Sequence, residues 1–397
     1  MTDITADAVV HDYLRTGLRL GRHLDGLVDA YYGPESLSIE VDNEPVRDLA
    51  ALVDDCRRLV VDVEHVEGLE ATRRAWLLAQ LRGLHVTARK LSGEDIPFVQ
   101  EVEGSYGVTP RRVTDDELAA AHESLEAVVP GSGLLGERLS DWREAHAVNP
   151  DDLQRAIDAL SEWLRAETLR FVSLPDEEHI DFELVRNQPW SGFNYYLGNF
   201  RSRVAINVDL PVLSLSLGHL VAHEAYPGHH TEHSLKELGL VRKRKHLEET
   251  IFLVGTPQCT VAEGLADLAL RVIAGDHPQP MVASILQPLG IRYDTEVAVA
   301  IADASDVMSL CSQEAAIKLH ADGMPVESVI DWLQRWALLP RVRAEKSVQF
   351  LTDPTWRAYI SCYAEGMPLC RTFVGDDQSR FVRLLTEQLT PASLVAA

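Results

Sequence analysis

The spacing of the apolar residues sets the strongest limit on what this chain can become. Through most of its 397 residues, leucine, valine and isoleucine recur three and four positions apart, the period of one face of a helix. Val10, Leu14, Leu18 and Leu20 lead a first helix toward the turn signal Tyr31-Tyr32-Gly33-Pro34. A second helix is expected from Val46 into the early sixties, and a third from Glu70 to about Leu91. Pro130-Gly131-Ser132-Gly133 separates two more, and Asn149-Pro150-Asp151-Asp152 reads as the N-terminal cap of a long helix through Trp163 and Leu169.

The period changes after Pro175. Asp181–Arg186, Phe193–Leu197 and Arg203–Val208 are short, rich in Phe, Tyr, Val and Ile, and bounded by Pro189, Gly192, Gly198 and Pro211, which predicts two or three strands. Helical spacing returns at Val212 and is broken only at Gly255-Thr256-Pro257, His277-Pro278, Pro340, Asp353-Pro354 and Gly375-Asp376. The expected fold is mainly α with a small β-sheet (α+β). Residues 1–175 form a helical N-terminal region, and 176–397 hold the sheet and further helices. A chain this long exceeds the size at which a single core stops growing, roughly 250–300 residues, so one large integrated unit or two packed ones are expected.

Charge narrows the function. With 37 Lys+Arg against 61 Asp+Glu the formal charge is −24, and such a surface repels a phosphate backbone, so nucleic-acid binding is excluded. The one dense basic run, Arg242-Lys243-Arg244-Lys245-His246, reads as a solvated helix end. The start, Met1-Thr2-Asp3-Ile4-Thr5-Ala6-Asp7, has no basic and apolar leader, and no apolar run approaches the roughly 18 residues that span a bilayer, so a cytoplasmic protein without a membrane partner is expected. Cys56, Cys259, Cys311, Cys362 and Cys370 contain no C-x-x-C pair. They are expected as buried fillers rather than disulfides or thiolate ligands.

His219, His223, His229, His230 and His233 fall within 15 residues. His223-Glu224 begins like the H-E-x-x-H zinc helix, in which two histidines one turn apart bind the metal and the intervening glutamate handles the proton. The position one turn on, however, is Pro227, which binds nothing. In a straight helix His229 faces away from His223, and His230 lies about 10 Å along the axis. Pro227-Gly228 is therefore expected to break the helix, since proline lacks a donor and Gly228 permits a positive φ. The break folds one of the two later imidazoles back beside His223, and spacing leaves His229 and His230 both open as ligands. Glu263 is the third candidate ligand, and Asp267, four residues on along the same helix face, is placed to accept the free ring N–H of a ligating histidine. Gly264 would let a neighbouring helix approach closely. Three ligands leave a fourth position for water, as catalytic sites do.

The run His223-Glu224-Ala225-Tyr226-Pro227-Gly228-His229-His230, followed by Glu263-Gly264, resembles a bacterial family of largely unknown function with an H-E-x-x-P-G-H-H signature and a later E-G-x-A motif. That family is grouped with the gluzincin-type zinc metallopeptidases, and the resemblance extends from about Phe193 to Ala269. It implies a zincin-like helical architecture with a cleft, one Zn2+, and hydrolysis of a peptide or small amide substrate. Glu224 would be the general base and acid. Tyr359 and Tyr363 loosely resemble the tyrosine-rich helix that completes the site in helical zinc peptidases, with Tyr363 the first choice for the oxyanion donor. Asn194, Tyr195 and Tyr196 lie on a predicted strand where zincin-like enzymes pair an edge with extended substrate. His219 is expected as a helix histidine near the site rather than on the metal, His233 at the surface or behind a ligand, and Arg343 and Arg371 in surface ion pairs. Two other functions fit the same residues: a metal-dependent hydrolase of a non-peptide amide or ester, and a helical binding scaffold that has lost turnover. The acidic shell should disfavour polyanionic substrates.

Overall fold

Local signals in the sequence account for most element boundaries in the computed structural model, which describes residues 5–188 and 190–396. Residues 1–4 of the start and Pro189 lie outside the described residues. Thr5 caps helix Ala6–Gly21, Asp48 caps Leu49–His65, and Asn149 accepts from Asp151 N to start Pro150–Thr168 with Pro150 in the first turn. Helix Ala71–Leu91 packs against Leu49–His65, and their buried leucines with Tyr13 and Trp76 form one apolar cluster. The first helix ends ten residues earlier than its period suggests. Gly26 turns the chain at φ 80°, and strand β1, Val28–Tyr31, follows where a helix was expected.

Strands β2 (His179–Val185), β3 (Gly192–Gly198) and β4 (Arg201–Asn207) form a sheet in the order β2-β4-β3, within a few residues of the positions predicted. β2 runs parallel to β4 and β3 antiparallel, so β3 is an edge. A fifth strand, β5 (Ile251–Leu253), interrupts the helical second half and pairs antiparallel with β1, with an irregularity between Val28 and Ala30. This second sheet ties the N-terminal helices to the second half of the chain, since Ile251 and Leu253 belong to the same apolar cluster as Tyr13 and Trp76. The largest cluster lies under the first sheet, where Val204 and Ile206 of β4 meet helices Pro150–Thr168, Ser214–Glu224 and Pro257–Ala274.

All five cysteines are buried as free thiols, as expected. The basic run ends a π-helical turn, Glu237–Lys243, with Arg242 to Lys245 exposed. Among the described residues no helix is long and apolar enough to cross a membrane.

Candidate metal centre

Helix Ser214–Glu224 carries His219, His223 and Glu224, and it ends where Pro227-Gly228 requires. A new helix, His229–Lys236, begins immediately after the dipeptide. Gly228 does not use the positive φ expected of it: its φ is −76°. Its value is steric, because its nitrogen donates to Ala222 O at 3.0 Å and a Cβ there would lie 2.0 Å from His223 O. The chain doubles back against the preceding helix, and His229 returns to His223.

His229 Nε2 lies 3.1 Å from His223 Nε2, and Glu263 Oε2 lies 3.4 Å from the first and 3.9 Å from the second in the order His223, His229. Bonds of about 2 Å in a tetrahedral site separate ligand atoms by about 3.3 Å, so these three atoms span one face of such a tetrahedron. The donor set suits a divalent cation for a second reason. Glu263 Oε1 accepts from Tyr359 Oη at 2.5 Å, while Oε2 is buried and has no hydrogen-bond partner.

Each candidate ligand is held from behind. His223 Nδ1 donates to Asp267 Oδ1 at 2.9 Å, which fixes the tautomer and leaves Nε2 with its lone pair. His229 Nδ1 faces Glu232 Oε2 at 3.9 Å, and Glu232 Oε1 accepts from the buried Lys236 at 2.7 Å. Burial pushes the His223 imidazole toward its neutral form, but Asp267 and Glu263 outweigh it and raise the pKa. Burial likewise raises the Asp267 carboxyl, and hydrogen bonds from His219 and His223 more than offset this and hold it low.

His230 goes elsewhere. It is fully buried, with Nε2 2.9 Å from Glu178 Oε2 and Nδ1 2.8 Å from Ser202 Oγ. A carboxylate only accepts, so Nε2–H donates to Glu178 and Nδ1 accepts from the serine. No ring lone pair is left for a metal, and the residue stands apart from the three clustered ligand atoms. Tyr226 Oη donates to the same Glu178 oxygen at 2.6 Å, and Arg165 reaches the other at 2.6 Å. Burial works to raise the Glu178 pKa, yet His230, Tyr226 and Arg165 bring it down to about 2.

Glu224 follows His223 with its carboxyl buried against β3, where a Cβ on Gly192 would come within 3.0 Å of Glu224 Oε1. Its pKa is raised, first by burial and further by Glu263, against the pull of His223 and His229. Asn194 Nδ2 donates to Glu224 O at 2.6 Å, so β3 also anchors the end of the helix. Of the two tyrosines beside it, Tyr196 is buried with its hydroxyl on Glu237 at 2.5 Å, and Tyr195 lies under Arg203 at the mouth of the cleft.

Helix Pro257–Ala274 brings Glu263 to the site by crossing helix Ile360–Val374 at two glycines. A Cβ on Gly264 would lie 2.3 Å from Gly366 O, and one on Gly366 would lie 2.5 Å from Thr260 O. That contact delivers Tyr359 to Glu263 and Tyr363 to the cleft. Tyr363 is 40% exposed and is surrounded by protein on its other sides. The surrounding protein and the carboxylates of Glu263, Asp267 and Glu224 raise its pKa above the ordinary phenol value, so its hydroxyl keeps its proton.

His223, Glu224, His229, Glu263 and Tyr363 line one cavity of about 420 Å³. His219 stays outside it, exposed, with Nε2 3.4 Å from Asp267 Oδ1. His233 lines the cavity, stacked on Tyr196, and burial pushes its pKa down to about 3. Neither Arg343 nor Arg371 borders it, and Arg371 pairs with Asp276 at 2.7 Å. Sequence reasoning missed Glu232, whose relation to His229 is a bare i,i+3 spacing, and Asp29, which lines the cavity from β1 with no local motif to mark it.

No protein-family model and no curated protein matches the chain. Among solved structures, it is similar to a candidate lipoprotein from Colwellia psychrerythraea at a TM-score of 0.53 and 16% identity, over 87% of this chain and 65% of that one. A candidate lipoprotein of unknown function from Shewanella oneidensis gives 0.47 and 14%, over 94% and 80%. An M32 carboxypeptidase from Deinococcus radiodurans R1 gives 0.38 and 10%, over 95% and 88%. The chain thus spans about two thirds of the Colwellia protein, and at that identity the two share a fold and nothing more specific.

Proposed function

We propose that the protein is a metal-dependent hydrolase, with zinc the metal and a peptide or small amide the substrate, of the gluzincin-like kind that its signature resembles. The convergence of His223 Nε2, His229 Nε2 and an orphaned Glu263 Oε2 beside a buried glutamate carries this reading. A divalent cation on those three atoms would acidify water and polarise the carbonyl of the scissile bond.

The protein's own groups do the rest. Glu224, held against β3, takes the proton of the attacking water as its oxygen bonds to the carbonyl carbon. The same carboxyl then gives that proton to the nitrogen as the C–N bond breaks. Tyr363 O–H donates to the carbonyl oxygen as charge develops there. The edge of β3 that pairs with no strand offers backbone groups to an extended chain. A cytoplasmic location belongs to the same reading, in keeping with five free buried thiols.

Metal analysis of the protein beside Glu224→Gln, assayed on a peptide library, tests the proposal. The expected result is about one divalent ion per chain in both proteins, and a fall in turnover of about 10²–10⁴ in the variant. Absence of stoichiometric metal with turnover unchanged in Glu224→Gln would overturn it.

A further inference from the structure

Asp29 takes no part in the chemistry above, yet its carboxylate lines the metal cavity. It sits at the irregularity of the β1–β5 ladder, between Val28 and Ala30, and an extra residue at such a point is unpaired and re-aims its side chain. Among the described residues no group hydrogen-bonds or ion-pairs with it. Its surroundings act through burial and through the charges of His229, Glu263 and Glu224. A half-buried carboxylate with no partner in the protein is a ready acceptor for a cationic ligand that enters the cavity. Asn194 supplies a second acceptor in the same cavity: with Nδ2 committed to Glu224 O, its buried Oδ1 has no partner.

The lining is as informative for what it omits. Among its described residues there is no lysine or arginine, and aromatic rings dominate: Trp190, Phe193, Tyr195, Phe252, Trp356 and Tyr363. A neighbouring cavity of about 470 Å³ shares Tyr363 and holds Arg111 and Arg271, but these already face Glu365 at 3.6 Å and Asp306 at 2.7 Å. A free C-terminal carboxylate meets no unpaired cation on either side.

We propose that the metal cavity receives the amino end of its substrate. The α-ammonium binds Asp29, with Asn194 Oδ1 as a second acceptor, and an aromatic or large apolar side chain lies among Trp190, Phe193 and Trp356. The leaving portion runs past Tyr363 into the neighbouring cavity. A residue of extended chain spans about 3.3–3.6 Å, so a cavity of this size places the ammonium one or two residues from the scissile bond. This selectivity rests on the hydrolase reading and makes the protein an amino-end exopeptidase.

The test uses zinc-loaded full-length protein and phenylalanine-led tetrapeptides that are free, N-acetylated or C-amidated, with products identified by mass spectrometry. Acetylation is expected to lower kcat/KM about tenfold or more, the worth of a charge-assisted hydrogen bond, and amidation to change it by less than about threefold. Products should lose one or two residues from the amino end. Calorimetry gives a readout without turnover: phenylalaninamide should bind about tenfold tighter than its N-acetyl form, and Asp29→Asn should bring that ratio below about threefold. Equal processing of acetylated peptide, release of residues from the carboxyl end, or discrimination that survives Asp29→Asn would each overturn the inference and leave the hydrolase reading standing. Turnover of none of the peptides by metal-loaded protein would bring down both.

Discussion

Two adjacent histidines have opposite fates, and the difference lies in what their second nitrogen touches. His229 keeps Nε2 open toward His223 and Glu263, whereas His230 spends both nitrogens on Glu178 and Ser202. His229→Ala is therefore expected to lose stoichiometric metal. His230→Asn is expected to keep it and to lose about 1–3 kcal/mol of stability, as a buried hydrogen-bonding pair is broken; metal analysis and denaturant unfolding separate the two. Asp267→Ala should weaken metal affinity about 10–100-fold in a chelator competition, since the His223 ring loses its anchor. Asp267 was legible because i,i+4 spacing on a helix is a spatial statement. The choice between His229 and His230 was not, because it turns on a segment of four irregular residues. Tyr359 was visible only as half of a pair, and its bond to Glu263 depends on how two distant helices cross. Asp29 had no signal, since a strand more than 190 residues upstream of His223 shares no local pattern with it.

At the scale of elements, the helices were legible where cap and apolar period agreed, as at Asn149. The three-residue strand β5 was not, because a short apolar run fits a helix and a strand equally well. The crossing of Pro257–Ala274 over Ile360–Val374 is among the most exacting contacts in the site. Gly264→Ala drives a methyl group into a backbone carbonyl that cannot rotate away, so the helices must separate. The expected cost is about 1–3 kcal/mol by thermal unfolding, with a fall in bound metal as Glu263 and Tyr359 shift. The mainly α architecture with a small sheet was readable from period alone. The glycine pair that sets the distance between its helices was half readable, because Gly264 stood in a motif and its partner Gly366 did not.

For the whole molecule, Glu178 joins parts of the fold that are far apart in sequence: Arg165 from one helix, Tyr226 and His230 from the break, and Ser202 from β4 through the histidine. Its folded pKa of about 2 lies below the ordinary carboxyl value of 4.5, so its contribution is complete above pH 4.5 and is lost as pH falls from there toward 2. The shift corresponds to at most about 3 kcal/mol. Glu178→Gln is expected to destabilise the protein at pH 7 by up to that amount and to flatten the acid limb of a stability–pH curve measured by chemical denaturation. Chelation of the metal should lower the melting temperature in the wild-type protein, because an ion that binds only the folded state stabilises it by mass action.

The pairing of β1 with β5 sets an order of events during synthesis. Val28 faces Leu253 across a sequence separation of 225 residues, and Glu263 and Tyr359 arrive later still. Contacts of such high sequence separation form slowly, because the loop must close before any of them stabilises it. An emerging chain therefore carries His223 and His229 out of the ribosome as two exposed imidazoles, without the carboxylate that completes the centre. On the proposed function, capture of an ion would belong to the last stage of folding, and the finished protein rather than the nascent one would select its metal.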